Sequence, residues 1–498
     1  VPEITDLRRV LEEIHDLSMA GALLGWDQQV MMPSRAAAGR AEQLATVSRI
    51  VHERFTRDEL GALLDDLRPL EASLDPLSDD ASLIRVARRD YEKARRVPPE
   101  LQSALSRQAS ISMVTWATAR TADDFASFRP ALERTLELRR EYAACFAPSD
   151  DPYDPLLDDF EPGMRTDEVR AVFAVLEPAL RELLAAAADE PEPRFRPGPY
   201  PRAAQEELSL ELTRAFGFED GTFRLDPTVH PFCSSLGIQD IRLTTRYAED
   251  DLYGTSLFST MHETGHGLYE HGISPTLART LLASGCSSAL HESQSRLWEN
   301  VVGRSLPFWR WCYPRVQASF REALADVSVE EFHRAVNRVR PSFIRVDADE
   351  TTYGLHIILR FELEQRLLSG ELAVAELPEA WNTRFEELLG IPVPSDRVGC
   401  LQDVHWSAGL FGYFPTYQLG NVVSAQIWER LLVDLPEAYD QIERGDFSEI
   451  GGWLREHLYA LGRKLTPAET IVHVCGGPID PEPYLRYLRD KSAALAVR

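Results

Sequence analysis

Apolar positions recur at helical spacing from the start of the chain. Ile4, Leu7, Val10, Leu11, Ile14, Leu17 and Leu24 fall on one face of a 3.6-residue repeat. The same period predicts helices over 36–66, 82–95, 101–118, 123–146 and 165–189, and further acidic helices over 430–460 and 479–496. Strand-like alternation is scarce. Its clearest case is Asp240–Tyr247, where Ile241 and Leu243 alternate with polar residues. Two proline-rich stretches interrupt the helical pattern. Glu190–Arg202 (EPEPRFRPGPYPR) reads as a non-helical loop or linker, and Leu389–Arg397 (LGIPVPSDR) as a second break. No repeat with a period of 20–50 residues is visible, which argues against a solenoid. The expectation is one mostly α-helical unit over 1–498, two-lobed, without separable modules.

Size and charge narrow the function classes. At 498 residues there is ample chain for a large core. Lys+Arg 53 against Asp+Glu 79 gives a net charge of −26, which repels phosphate backbones and anionic membranes. Neither nucleic acid nor membrane is therefore an expected partner. The most apolar stretch, Phe173–Ala188, is interrupted by Glu177, Pro178, Arg181 and Glu182 and reads as an amphipathic helix. The first residues are charged throughout, unlike a signal peptide. Six cysteines are widely spaced with no CxxC pair, which points to a reducing, cytoplasmic compartment.

The chemistry begins at His262-Glu263-Thr264-Gly265-His266, an HExxH motif inside a predicted helix, Thr255–His271, with Ser256 as a candidate cap. Histidines at i and i+4 share one helical face, so both imidazoles can reach one metal ion, and Glu263 can reach water beside it. This ligand chemistry suits Zn²⁺, with Co²⁺ as a substitute. A metzincin would need Gly at 269 and His at 272, but Tyr269 and Gly272 stand there. The other common solution is a glutamate from a following helix. Glu292, in HESQ, lies 26 residues after His266, on a return helix predicted from about Ser287 to Val302; Glu299 competes with it for the role. His271 lies on another face and suits the surface.

Other candidates are less decisive on their own. His230 precedes Pro231 and is held extended, serving either a turn or a substrate. Asp240 and Arg242 point the same way on a strand, to pair together or to offer a guanidinium to a carboxylate. Arg345 lies outside any helical stripe. His405, Tyr413 and Tyr417 form a polar-aromatic cluster suited either to a core or to stabilising an oxyanion. Cys400 reads as a small buried residue.

Taken in order, HPF (230–232), DIRLT (240–244), HETGH (262–266), HESQ (291–294), IRVDAD (344–349) and GCLQDVHW (399–406) resemble the carboxypeptidase Taq family of zinc metallocarboxypeptidases. Gly25–Gln43 also looks like that family's N-terminal signature, and the resemblance covers nearly the whole chain. It implies a mostly α fold with a deep central cleft and a small β-sheet near the active site. It implies a homodimer that removes single C-terminal amino acids from peptides with a free C-terminus, with broad specificity. By the same resemblance Glu292 is the third metal ligand beside His262 and His266. Glu263 is the catalytic base. Arg345, with Arg242 as second choice, binds the substrate carboxylate, and His405, Tyr413 and Tyr417 are hydrogen-bond donors, while His230 remains a candidate substrate contact from its own position before Pro231. Rival readings are a zinc oligopeptidase or dipeptidyl carboxypeptidase, and an inactive helical peptide-binding protein.

Overall fold

A computed structural model describes residues 4–149, 151–187, 198–252 and 255–496. Most of the expected helices form. Residues 4–24 lie within Ile4–Val30, 82–95 within Asp79–Arg96, 101–118 within Pro99–Ala122, and 123–146 spans Phe125–Ala144. The 36–66 stretch is divided into Ala37–Phe55 and Asp58–Asp66, and 165–189 forms Thr166–Ala186 with Pro178 inside it. The 430–460 segment is not one helix. It holds the end of Phe414–Asp434, then Ala438–Arg444 and Ser448–His457, because Pro436 lacks a backbone donor and Gly445 turns left-handed at φ 75°. Of the proline-rich loop, residues 190–197 lie outside the described residues, while Arg202 already heads the Arg202–Ala215 helix behind Pro201. No helix among the described residues is long and apolar enough to cross a membrane.

A three-stranded sheet accompanies the helices: β1 (Phe223–Pro227), β2 (Cys233–Ser235) and β3 (Ile241–Thr245), in the order β1-β3-β2. β3 pairs parallel to β1 and antiparallel to β2. Periodicity predicted only the central strand. β1 ends in proline and β2 has three residues, too few to show alternation. Trp26, buried at the end of the first helix, lies under Arg242 of β3 and Arg224 of β1, at 4.9 and 5.6 Å from ring to guanidinium. Cation–π contact thus ties the N-terminal helix to the sheet.

Among the described residues, apolar side chains gather in three clusters. One joins the Phe125–Ala144, Thr166–Ala186, Glu350–Ser369 and Leu377–Leu389 helices. A second joins Arg202–Ala215, Ser256–His271, Leu306–Ser319 and Ser448–His457. The third holds the N-terminal helices against Ile273, Leu277 and Leu282. The Phe414–Asp434 helix feeds the first two clusters from opposite sides, with Leu419 and Val422 in one and Val423 and Ile427 in the other. The Ser288–Arg296 helix does the same through Ala289 and Leu290. The HESQ residues therefore sit at the seam between the two larger cores.

Glycines let the helices at this seam approach closely. A Cβ on Gly265 would lie 2.5 Å from the Gln294 carbonyl oxygen and 2.7 Å from Ser295 Cα. A Cβ on Gly420 would lie 2.6 Å from Glu292 Cγ. The HESQ helix is thus pressed between the HETGH helix and the Phe414–Asp434 helix. Its first amides are all paired: Ser288 N–H donates to Phe160 O (2.9 Å), Ala289 N–H to Glu161 Oε1 (2.5 Å) and Leu290 N–H to Ser287 Oγ (3.1 Å).

Two outcomes are expected. Gly265→Ala must shift backbone, not a flexible side-chain tip, so it should cost at least about 1–3 kcal/mol in denaturant unfolding and weaken metal binding. Burial pushes the Glu161 carboxyl up to about 8, against the hydrogen bonds it accepts from Ala289 and Ser287. The folded state then binds the extra proton between the unfolded carboxyl value and about pH 8. This group's contribution to stability is full below the unfolded value and falls as pH rises, by up to about 1.4 kcal/mol per unit. Glu161→Gln should flatten that slope in melts from pH 5 to 8; an unchanged slope would remove Glu161 as its source.

Candidate metal centre

The HETGH helix runs Ser256–His271, as the spacing predicts, but Ser256 is not its cap. Thr255 occupies that position and its hydroxyl turns back to Leu252 O. The Ser256 amide instead donates to Gln205 Oε1 at 3.1 Å, and its hydroxyl accepts from Ser209 Oγ. A neighbouring helix therefore fixes the start of the motif helix.

His262 and His266 stand one turn apart, rings edge to face at 4.9 Å. Glu292 Oε2 lies 3.8 Å from His262 Nε2 and 3.5 Å from His266 Nε2. All three donor atoms fall within 4.8 Å of one another. Donors bonded at about 2.0–2.2 Å around a tetrahedral ion stand roughly 3.3–3.5 Å apart, so the cluster fits one ion with little adjustment. Two imidazoles and one carboxylate are also the donor set of open, catalytic sites. Glu292 and not Glu299 completes the group. The return helix passes from α geometry over Ser288–Arg296 into a π-helical stretch, Leu297–Val302. Glu299 lies on that stretch and its Oε2 meets His262 Nδ1 at 2.8 Å, behind the ligand.

The surroundings are charged and largely buried. Glu263 is 5% exposed, and burial, with Glu292 and Glu299 nearby, pushes its carboxyl up to about 7 against the pull of His262. Burial would also raise Glu292, but the Arg296 guanidinium and His262 hold it well below the ordinary carboxylate range. Arg296 Nε donates to Glu292 Oε1 at 2.7 Å and the guanidinium stacks on Tyr353 at 4.4 Å. Tyr353 OH in turn accepts from Arg345 Nη1 at 2.9 Å. A continuous line of contacts thus runs from Glu292 to Arg345.

Arg345 is buried at 5% exposure and its fork is engaged by Asp403, with Nη2 and Nε at 2.8 and 3.1 Å from Oδ1. Arg360 Nε holds the other Asp403 oxygen at 2.7 Å. Two N–H groups of Arg345, one on each terminal nitrogen, have no partner among the described residues. Tyr417 lies 4.8 Å under its guanidinium, and Tyr417 OH is 3.1 Å from His405 Nε2. Burial holds His405 down to about 3, so its ring is neutral. Tyr413 packs against Tyr417 and Phe160, and both tyrosines feel the Glu292 carboxylate.

Other candidates lie elsewhere. Arg242 is paired with Asp240, at 2.5 and 3.0 Å, and stacked on Trp26. His230 is exposed in the bend between β1 and β2, where Phe232 N–H and C=O bond the Thr244 hydroxyl. His271 is half-buried, not a surface residue: it stacks on Phe218 and its Nδ1 meets Ile238 O. Cys400 is buried, as expected. Arg296, Tyr353, Arg360 and Asp403 were not singled out from sequence. Two of them left a trace there: Arg296 sits at i+4 from Glu292, and Asp403 two residues before His405.

Comparison with known proteins agrees with this geometry. The family model described as carboxypeptidase Taq (M32) metallopeptidase matches residues 6–492. The chain is 42% identical over 491 residues to thermostable carboxypeptidase 1 of Thermus thermophilus, covering 96% of each. It is 37% identical to carboxypeptidase 1 of Bacillus subtilis, covering 98% of this chain and 97% of that one. The crystal structure of the M32 carboxypeptidase from Deinococcus radiodurans superposes with a TM-score of 0.95 at 41% identity over 99% of both chains. A donor set of two histidines and a glutamate, carried on a fold and sequence shared along nearly the entire chain, assigns the protein to the carboxypeptidase Taq (M32) family of metallopeptidases.

Proposed function

We propose that the protein is a zinc-dependent carboxypeptidase that releases single amino acids, with broad specificity, from peptides with a free C-terminus. The observation that carries this reading is the convergence of His262, His266 and Glu292 beside a buried Glu263. A divalent ion held by those three residues supplies Lewis acidity toward a carbonyl oxygen and acidifies water.

The chain's own groups do the rest. Glu263, poised near neutrality by burial, takes a proton from the attacking water and returns it to the departing amine. His405 and Tyr417, with Tyr413 beside them, donate hydrogen bonds to the carbonyl oxygen as it gains charge; loss of one such donor costs about 2.7–4 kcal/mol of barrier. Arg345 offers its two remaining N–H groups to the terminal carboxylate, which aligns the last peptide bond. It is preferred over Arg242 because it shares Tyr417 with His405, whereas Arg242 is committed to Asp240 and Trp26. His230, exposed in its bend, is a candidate contact for the rest of the peptide. The six unpaired cysteines support a cytoplasmic location. A deep cleft and a homodimer follow from the family resemblance, and the two-lobed arrangement from the helical pattern of the chain.

Three outcomes are expected. Incubating a short free-acid peptide with the enzyme should strip residues one at a time from the C-terminus by mass spectrometry, with loss under chelator and recovery with Zn²⁺ or Co²⁺. Dipeptide or internal fragments would instead favour an oligopeptidase or dipeptidyl carboxypeptidase, and inertness of the metal-loaded protein a peptide-binding role. Glu263→Gln should retain one zinc per chain while kcat falls about 10²–10⁴-fold; full turnover in that variant would remove Glu263 as the base. Arg345→Lys, which keeps the charge facing Asp403, should raise KM for free-acid peptides and narrow their advantage over C-terminal amides. Equal rates for acids and amides in the unaltered enzyme would exclude a carboxylate clamp.

A further inference from the structure

His291 precedes the third ligand, and the geometry points to a role that neither its motif nor the reaction assigns. Its Nδ1 lies 2.6 Å from His266 Nδ1, and its Nε2 lies 2.9 Å from Glu270 Oε1. His266 meanwhile turns Nε2 toward Glu292 Oε2 at 3.5 Å. These contacts leave one consistent set of protons. A neutral His266 that offers the Nε2 lone pair to a metal carries its hydrogen on Nδ1. That hydrogen is donated to Nδ1 of His291, which must then be bare. His291 therefore carries its own hydrogen on Nε2, and Glu270 accepts it. Glu270 Oε1 also accepts Gly285 N–H at 3.0 Å, which anchors the far end.

The His291 ring packs against Tyr269 at 5.3 Å between centroids, and Gly285 passes close enough that a Cβ there would lie 2.9 Å from His291 Cδ2. His262 has a simpler arrangement, since its Nδ1 meets the Glu299 carboxylate directly. The two imidazole ligands are thus oriented by different devices, a carboxylate on one side and an imidazole–carboxylate pair on the other.

We infer that His291 is a positioning residue that relays Glu270 to His266, fixing the tautomer and the aim of that ligand and raising metal affinity. This rests on the reading of His266 as a ligand. A partner of this kind is worth about 10- to 100-fold in metal affinity.

The test compares the full-length protein with His291→Leu, His291→Asn and Glu270→Gln. Zinc dissociation constants come from chelator competition, the visible absorption of the Co²⁺-loaded forms reports ligand geometry, and melting of the metal-free forms controls for packing. His291→Leu removes both links and should weaken zinc about 10- to 100-fold and shift the Co²⁺ bands. Asparagine keeps an acceptor where Nδ1 stands but cannot reach Glu270, so His291→Asn should lose less. Glu270→Gln should also weaken binding, with metal-free melting unchanged. The relay is overturned if His291→Leu and His291→Asn both bind zinc within twofold of the unaltered protein. It is equally overturned if both lose affinity alike and their metal-free forms melt lower, which marks simple packing. If His291→Leu does not fold, His291→Asn and Glu270→Gln decide alone. Failure of the unaltered protein to hold stoichiometric zinc would instead sink the assignment of His266 as a ligand, a result distinct from unchanged variants.

Discussion

The metal centre depends on how closely three helix backbones can pass. Helix axes ordinarily pack 8–10 Å apart, and the low end of that range is open only where small residues face each other. Gly265 provides this between the HETGH and HESQ helices, where the opposing atoms are the backbone of Gln294 and Ser295. Gly420 provides it on the other side, where the opposing atoms belong to Glu292 itself. Glu292 is therefore seated against a bare stretch of helix and directed toward the two histidines. The remaining ligand geometry, including the partners behind each imidazole, presupposes that contact.

Charge is the second organising term. Glu263, Glu270, Glu292 and Glu299 are all nearly excluded from water, while Arg296 and Arg304 are the guanidinium groups paired with Glu292 and Glu299. Desolvated carboxylates in excess over their counter-charges favour either a proton or a cation. The upward shift of Glu263 is the protonic answer, and the clustered donors of His262, His266 and Glu292 could hold the cationic one. A few residues away the balance reverses, since Asp403 serves both Arg345 and Arg360. On the proposed reading, a divalent cation and an anionic chain end would be drawn to distinct places.

Much of this was legible in the chain before any fold was known, and the reasons for the gaps are specific. Long amphipathic helices announce themselves by period, so Ile4–Val30 and Phe125–Ala144 were found within a few residues. β1 and β2 were not, because five and three residues hold too little pattern. The histidine pair could be read from a single helix turn. Spacing alone left Glu292 level with Glu299, because the choice depends on which face of a following helix meets the first. Arg345 and Asp403 lie 58 residues apart, and no local pattern records such a pairing. Arg242 shows the opposite limit: its strand neighbour Asp240 was visible in sequence, but Trp26, some two hundred residues earlier, was not.

The π-helical stretch Leu297–Val302 has a bearing on how this chain tolerates change in length. A widened turn holds one residue more than a regular one, so the helix on either side keeps its rotational phase although the turn carries an extra residue. Losing one position ahead of Glu299 would let the turn close to regular α geometry with its flanks still in phase, but would shift Glu299, which lies inside the turn, relative to His262. Side chains within Leu297–Val302 can be exchanged at the ordinary cost of repacking a core, but the extra residue itself is tied to the placing of Glu299 behind His262.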